Sequence, residues 1–309
     1  MTSNIETKKE TAMTDLSVGI IGCGWLGSAL AYHLKELGVA VLATRSNIGN
    51  TEELNSQGIK AEVLSLPADQ ALLNTHAIFN QQCIVIAITP QFRQGRVDYA
   101  DKVQQLVESA KVSKRVEQII LLSSSAVYNG LSGHVEEASI LDMSADKVAL
   151  LNQAEQAVLD FNSHAQEVSN LPNDLNISVK NNKAYVLRLA GLVGPKRHPG
   201  KFLINRRLLK SPQAVVNLIH QQDAVGLIET LLQSELGGGI FNGVSSTQVT
   251  KKQYYQAAAS ALQLPRPIFE ENELSSISDP KIVSGKKTQA MLTYSFVYND
   301  LLAWLEHAD

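Results

Sequence analysis

Gly22, Gly24 and Gly27, set in Gly22-Cys23-Gly24-Trp25-Leu26-Gly27, have the residue type and spacing to hold a diphosphate. In such a turn the first glycine permits the tight bend and the second lets the main chain approach the pyrophosphate. The third lets a helix pack closely on the preceding strand. A helix starting near Trp25 adds unpaired N–H groups and the positive end of its dipole. A glycine pattern alone is weak evidence, but this one lies between a strand pattern and a helical one. The expected ligand is a nicotinamide dinucleotide. Sites that select NAD usually carry Asp or Glu about 20 residues further on, for the ribose hydroxyls. Here the segment reads Thr44-Arg45-Ser46. The guanidinium fork of Arg45, with Ser46 beside it, suits a 2′-phosphate, so NADP is expected over NAD, with NAD left open. A solvated surface arginine is the plain alternative. Thr89 and Pro90, in Ile88-Thr89-Pro90, should reach the same edge of the sheet.

The elements that must position these residues are legible from periodicity. Val18–Ile21 is short and β-branched, as a buried parallel strand is. Leu26, Leu30, Leu34 and Leu37 recur at helical spacing, and Gly38 is placed to end that helix. Strands follow at Val39–Thr44, Ala61–Leu64, Cys83–Ile88 and Gln118–Leu122, with helices near Thr51–Gln57 and over Tyr99–Ala110 between them. Such alternation implies a parallel sheet covered on both faces. Ser144–Phe161 is helical in spacing, and the polar residues 166–183, with Pro172, suggest a surface insertion. Further strands are expected at Tyr185–Leu189, Val215–Ile219 and Ile240–Asn242, with helices over Asp223–Gln233 and Lys251–Leu262. The fold class is α/β, a Rossmann doubly wound parallel sheet with a small C-terminal substrate lobe. Residues 1–15 read as a tail and 16–190 as the NAD(P)-binding Rossmann domain. Residues 191–309 read as the remaining sheet strands and the substrate-binding lobe.

Ser123-Ser124-Ser125-Ala126-Val127-Tyr128 after a strand, Arg188-Leu189-Ala190-Gly191-Leu192-Val193-Gly194-Pro195, and Val216-Asn217-Leu218-Ile219-His220-Gln221-Gln222-Asp223 stand in that order. With the glycine turn and Arg197-His198-Pro199-Gly200, the chain resembles the extended short-chain dehydrogenase/reductase superfamily over roughly residues 17–305. It is most similar to an atypical, epimerase-like subgroup. The resemblance implies an active site of Ser or Thr, Tyr and Lys, the last two spaced Tyr-x-x-x-Lys on the helix after the serine motif. There, a lysine ammonium lowers the tyrosine pKa so that the phenol can move a proton as a hydride is transferred. This helix has no tyrosine: Lys147 is preceded at the matching offset by Met143, and the next tyrosine after Tyr128 is Tyr185. The resemblance leaves Ser124 as the catalytic hydroxyl and Tyr128 as a substitute acid or base. It leaves Lys147 near the ribose, Ser123 on the cofactor side, and Ser125 and Gly191 on the substrate side. It also allows a homodimer.

From Leu189 to Gln222 there is no Asp or Glu, while Lys196, Arg197, Lys201, Arg206, Arg207 and Lys210 fall there. Arg197, His198 and Lys201 are therefore expected to seat a small anionic substrate, such as a nucleotide sugar; a solvated basic face is the other reading. With 27 basic and 30 acidic residues, the net charge of -3 offers no general attraction to nucleic acid or an anionic membrane. His198 and His220 lack partners at metal-ligand spacing, so no metal is expected. Two cysteines, Cys23 and Cys83, argue for a reducing compartment and a cytoplasmic protein. Neither a signal peptide nor a membrane-spanning run is recognisable. The expected function is an NAD(P)-dependent oxidoreductase of the epimerase/dehydratase type; the alternative is a catalytically reduced NADP sensor.

Overall fold

The computed structural model describes residues 15–169, 182–203, 209–270 and 279–308. The expected tail lies outside these residues except for Asp15, and Arg206 and Arg207 lie outside them too. Seven strands form one sheet in the order β10-β7-β5-β4-β1-β2-β3. They are β1 (Ser17–Ile21), β2 (Ala40–Arg45), β3 (Ala61–Val63), β4 (Cys83–Ile86), β5 (Gln118–Ser124), β7 (Lys183–Leu189) and β10 (Gly239–Gly243). The pairs β1·β2, β1·β4, β2·β3 and β4·β5 are parallel, with Ile21 opposite Thr44 on one side and Ile86 on the other. The chain leaves β1 toward β2 and β3, then returns to lay β4 on the other side of β1. The carboxyl ends of β1 and β4 thus flank the point where the winding reverses, which is where such sheets bind ligands.

Helix α1 (Trp25–Glu36) buries Leu26, Leu30 and Leu34, and Gly38, at φ 77°, follows its end as expected. Helix α2 (Ile48–Ser56) starts earlier than Thr51 because Asn47 caps it through Asn50 N–H at 3.0 Å. Helix α3 (Gln70–Asn74), capped by Asp69, is too short to show a period. Helix α4 (Tyr99–Val112) matches its pattern. Helix α5 (Asp146–Ser169) runs past Phe161, so residues 166–169 of the expected insertion are helical and Lys183 begins β7. Residues 170–181 of that insertion lie outside the described residues. The remaining helices are α6 (Gln221–Leu232), α7 (Lys251–Ala261), α8 (Lys286–Leu292) and α9 (Leu301–Leu305).

Not all later strands join the sheet. Leu218–His220 forms β9, which pairs in parallel with β8 (Gly191–Val193) in a separate two-stranded sheet. Val215 makes only an isolated bridge to Thr250. The reason is packing: Val216 and Leu218 join Val193, Tyr254, Ala258, Leu301 and Leu305 in one buried cluster. A third sheet pairs β6 (His134–Val135) with β11 (Ile282–Val283).

The described residues of Met1–Ser123, Ala149–Leu187 and Ile228–Ile240 form one compact unit, and those of Ser124–Val148, Arg188–Leu227 and Phe241–Asp309 form another. The chain passes between them after Ser123, Val148, Leu187, Leu227 and Ile240, where the sequence suggested one passage near residue 190. The strand patterns mark elements but do not mark which unit each end of an element joins.

The core of the second unit holds two histidines. His220 is 3% exposed, its Nδ1 accepts Gln222 N–H at 3.2 Å, and its ring lies 4.0 Å from Tyr298 and 5.0 Å from Trp304. Burial pushes its pKa down to about 4, and lowers that of His198 as well, with Lys201 adding to the effect. An unfolded histidine titrates near 6.5, so between there and about 4 the unfolded chain binds more protons. Stability is therefore lost as pH falls through this window. The shift at His220 alone corresponds to about 3 kcal/mol at most. Asp223 opposes this at the acid end, because burial raises its carboxyl despite bonds from Val297 N–H, Tyr298 N–H and Tyr294. Urea midpoints from pH 7 to 4 should fall more steeply for the natural chain than for His220→Gln; equal slopes would remove the assignment.

Candidate functional site

The three glycines of the turn occupy three different settings. Gly22 closes β1 at φ 84°, donates its N–H to Thr44 Oγ1 at 3.3 Å, and lies so close to the segment after β4 that a Cβ would come within 2.9 Å of Ile88 N. A Cβ on Gly27 would sit 3.3 Å from Ile20 Cγ2, the close helix-on-strand contact expected of the third glycine. Gly24, in extended conformation at the start of α1, faces open space: its nearest atom would be Gly22 O at 3.8 Å. No side chain caps α1 and no acidic residue stands in its first turn, which Trp25 and Leu26 begin. Cys23 is buried, with its N–H on Thr44 O at 2.9 Å and its thiol 3.8 Å from Ser28 Oγ. Burial pushes the thiol pKa up, so it remains a neutral packing group.

Gly22 and Gly24 line a cavity of about 420 Å³, with Thr44, Arg45 and Ser46 at the end of β2 and Thr89 beyond β4. That volume falls in the range of small-ligand sites. Pro90 is not part of the lining. Arg45 Nη2 donates to Ser28 Oγ at 3.1 Å, while its Nε is buried without a partner. Such an orphan donor is costly unless something accepts from it. Gln91, Arg96 and Lys102 also line the cavity. Sequence reasoning did not single them out, since Gln91 and Arg96 lie in the loop after β4 and Lys102 in the first turn of α4, and the return of that segment toward β2 has no local pattern. Ser123, expected on the cofactor side, is buried, and its hydroxyl donates to the fully buried Glu155 at 2.5 Å.

The second unit holds the remaining candidates. Ser124 Oγ accepts Ala126 N–H at 3.1 Å and opens the 3₁₀ turn Ser125–Tyr128. Tyr128 is fully buried: its hydroxyl donates to Asn242 Oδ1 at 2.8 Å and accepts from Arg188 Nη1 at 2.9 Å, with the guanidinium 5.0 Å from the ring centre. Burial raises its pKa more than Arg188 and Asn242 lower it. An acid or base needs access to its proton partner, and this phenol is enclosed by core residues instead.

Lys147 is exposed on the first turn of α5. It helps depress the pKa of Lys281, after burial, and Lys281 Nζ donates to Asn129 Oδ1 at 3.0 Å. Gly191 begins β8, where a Cβ would collide with Leu218 at 2.8 Å. Arg197 and Lys201 are exposed, but His198 is 1% exposed: its Nδ1 accepts Gly200 N–H at 3.1 Å and its ring lies 5.7 Å from Trp304. The expectation that His198 faces a substrate is corrected by this burial. Among the described residues, no helix is long and apolar enough to cross a membrane.

No family model matches the chain. It is 31% identical over 289 residues to Protein YeeZ of Escherichia coli K12, an alignment covering 92% of this chain and 97% of the relative. Among solved structures it is similar to a functionally unknown conserved protein from Silicibacter pomeroyi, with a TM-score of 0.70 and 22% identity over 94% of this chain and 97% of that one. It is also similar to UDP-glucose 4-epimerase from Thermotoga maritima, with a TM-score of 0.75 and 14% identity over 95% and 97%. UDP-glucuronic acid 4-epimerase from Bacillus cereus, solved in complex with NAD, gives 0.71 and 16% over 94% and 96%. At these identities the solved structures speak for the fold, that of the epimerase/dehydratase type.

Proposed function

The chain belongs to the family of Protein YeeZ, and from that premise we propose that it binds a nicotinamide dinucleotide, NADP in preference to NAD, and works as an epimerase/dehydratase-type oxidoreductase on an anionic substrate. One observation carries this reading: the open face of Gly24, the uncapped start of α1 and the orphan Nε of Arg45 belong to one stretch of structure, and Gly24 and Arg45 line one cavity. These residues fit a dinucleotide. Gly22, Gly24 and the first turn of α1 hold the diphosphate, and Cys23, Leu26 and Gly27 shape that turn from behind. Arg45 and Ser46 take the 2′-phosphate, and Thr89 lies further along the lining. When bound, the cofactor supplies a hydride acceptor or donor. Ser124 and Lys147 are the groups assigned to the substrate oxygen and the ribose, and Ser125, Arg197 and Lys201 are those assigned to the substrate. A similar fold, that of MoeE5, is solved in complex with UDP-glucuronic acid and NAD, which supports a nucleotide-sugar class.

The enclosure of the Tyr128 hydroxyl favours a second reading, a dinucleotide sensor with little turnover. The two separate cleanly. NADPH should raise the melting temperature more than NADH at equal concentration. At least one member of a panel of nucleotide sugars and carbonyl compounds should then be converted, seen as a change in NADPH absorbance for a net reduction or as a new product by NMR where the hydride is returned and the cofactor regenerated, in the natural chain and in Tyr128→Phe alike. Tight binding without turnover favours the sensor; failure of both dinucleotides to shift the melting temperature removes both readings.

A further inference from the structure

The cavity beside the glycine turn is lined by three cations, Arg45, Arg96 and Lys102, and by no carboxylate. Arg45 comes from the end of β2, Arg96 from the loop after β4, and Lys102 from the first turn of α4. The loop is bent back toward the cavity by two residues in the left-handed region, Gln91 at φ 53° and Gly95 at φ 74°, on either side of the short turn Phe92–Gln94. Phe92 anchors it, edge-on to the buried Tyr99 with ring centres 6.3 Å apart. Asp98, next along the chain, accepts from Arg96 Nε at 3.1 Å, from Arg96 Nη2, and from Lys102 Nζ at 3.1 Å. A single carboxylate thus holds both Arg96 and Lys102, while Arg45, which lines the same cavity, has its Nε unpartnered.

We propose that Arg96 and Lys102 form a second cationic arm that, with Arg45, selects the 2′-phosphate of the cofactor, and that Asp98 is the internal anion with which this phosphate competes. The inference rests on the NADP reading given above. Three positive charges against one carboxylate leave an excess of two, which matches a phosphate monoester carrying close to two negative charges at neutral pH. A dinucleotide lacking that group brings only its diphosphate, which both cofactors share and the glycine turn takes, and offers no additional anion to draw either side chain from Asp98. Its pairing with Arg96 and Lys102 holds the Asp98 carboxyl well below the usual carboxylate range, so the competitor stays ionised at any working pH. Charge-assisted contacts of this kind discriminate through the group that only one ligand carries.

The test is titration of NADPH and NADH into the natural chain, Arg96→Ala, Lys102→Met, Asp98→Asn and Arg45→Ala, each first matched to the natural chain by circular dichroism. Arg96→Ala and Lys102→Met should each weaken NADPH about tenfold while changing NADH by less than about threefold. Asp98→Asn should tighten NADPH by several fold and make its binding more sensitive to salt. The proposal is overturned if Arg96→Ala and Lys102→Met keep natural NADPH affinity, if they weaken both dinucleotides equally, or if Asp98→Asn weakens NADPH. In the first case, loss of NADPH binding in Arg45→Ala shows that the NADP reading survives. If the natural chain binds neither dinucleotide, the reading and the inference fail together.

Discussion

Replacing Arg45 by alanine is expected to raise the dissociation constant for NADPH by about 30- to 100-fold while changing that for NADH by less than about threefold. The guanidinium lies at the end of β2, held by Ser28 Oγ at 3.1 Å, and its buried Nε has no partner. A fork fixed in this way meets a phosphate without first losing much freedom, and a charge-assisted pair is worth about 2 to 3 kcal/mol. The same orphan donor means that the folded chain gains little from Arg45 itself, so the melting temperature should hardly move. Isothermal titration with both dinucleotides is the check. Equal losses for the two would mean that Arg45 does not contact the group that distinguishes them.

The second large effect separates two glycines that stand two residues apart. Gly24→Val should lower affinity for both dinucleotides more than about 100-fold, because its side chain fills the open face where main chain and diphosphate must meet. Its extended backbone accepts an ordinary residue, so stability should fall by no more than about 1 kcal/mol. Gly22→Ala should do the reverse. At φ 84° and with Ile88 backbone 2.9 Å from the new Cβ, alanine is expected to cost about 2 to 4 kcal/mol of folding stability. Denaturation midpoints and binding constants for the pair decide the matter. Natural affinity in a folded Gly24→Val protein would move the ligand away from the turn.

The turn and its flanking elements are legible because their causes are local: a β-branched run, three glycines, and leucines at every fourth residue from Leu26 to Leu34. Arg45 could be placed for the same reason, as the last residue of a strand starting a known distance downstream. Arg96 and Lys102 could not, because their position depends on the chain crossing from β3 back to β4 and on left-handed bends at Gln91 and Gly95. Tyr128 was ambiguous because a phenol after Ala126-Val127 reads equally as core or as acid. Arg188 and Asn242, 60 and 114 residues away in sequence, make it core. The basic neighbours of His198 point it outward in the sequence, whereas Trp304, near the far end of the chain, lies 5.7 Å from its ring in the structure. The strand expected at Val215–Ile219 likewise falls in a separate small sheet, since an apolar run carries no information about which sheet will bury it.

The five crossings of the chain between its two units bear on synthesis. The first unit is interleaved with the second, so the ribosome must deliver Ile240 before that unit has its last segment, and Phe241 onward before the other is whole. Neither can be excised as one continuous stretch of gene, and a nascent chain halted after the serine motif lacks β7 and β10 of the sheet. The sheet that carries the glycine turn, though begun first, waits for β7 and β10 through most of translation, with strand edges that chaperones are suited to shield.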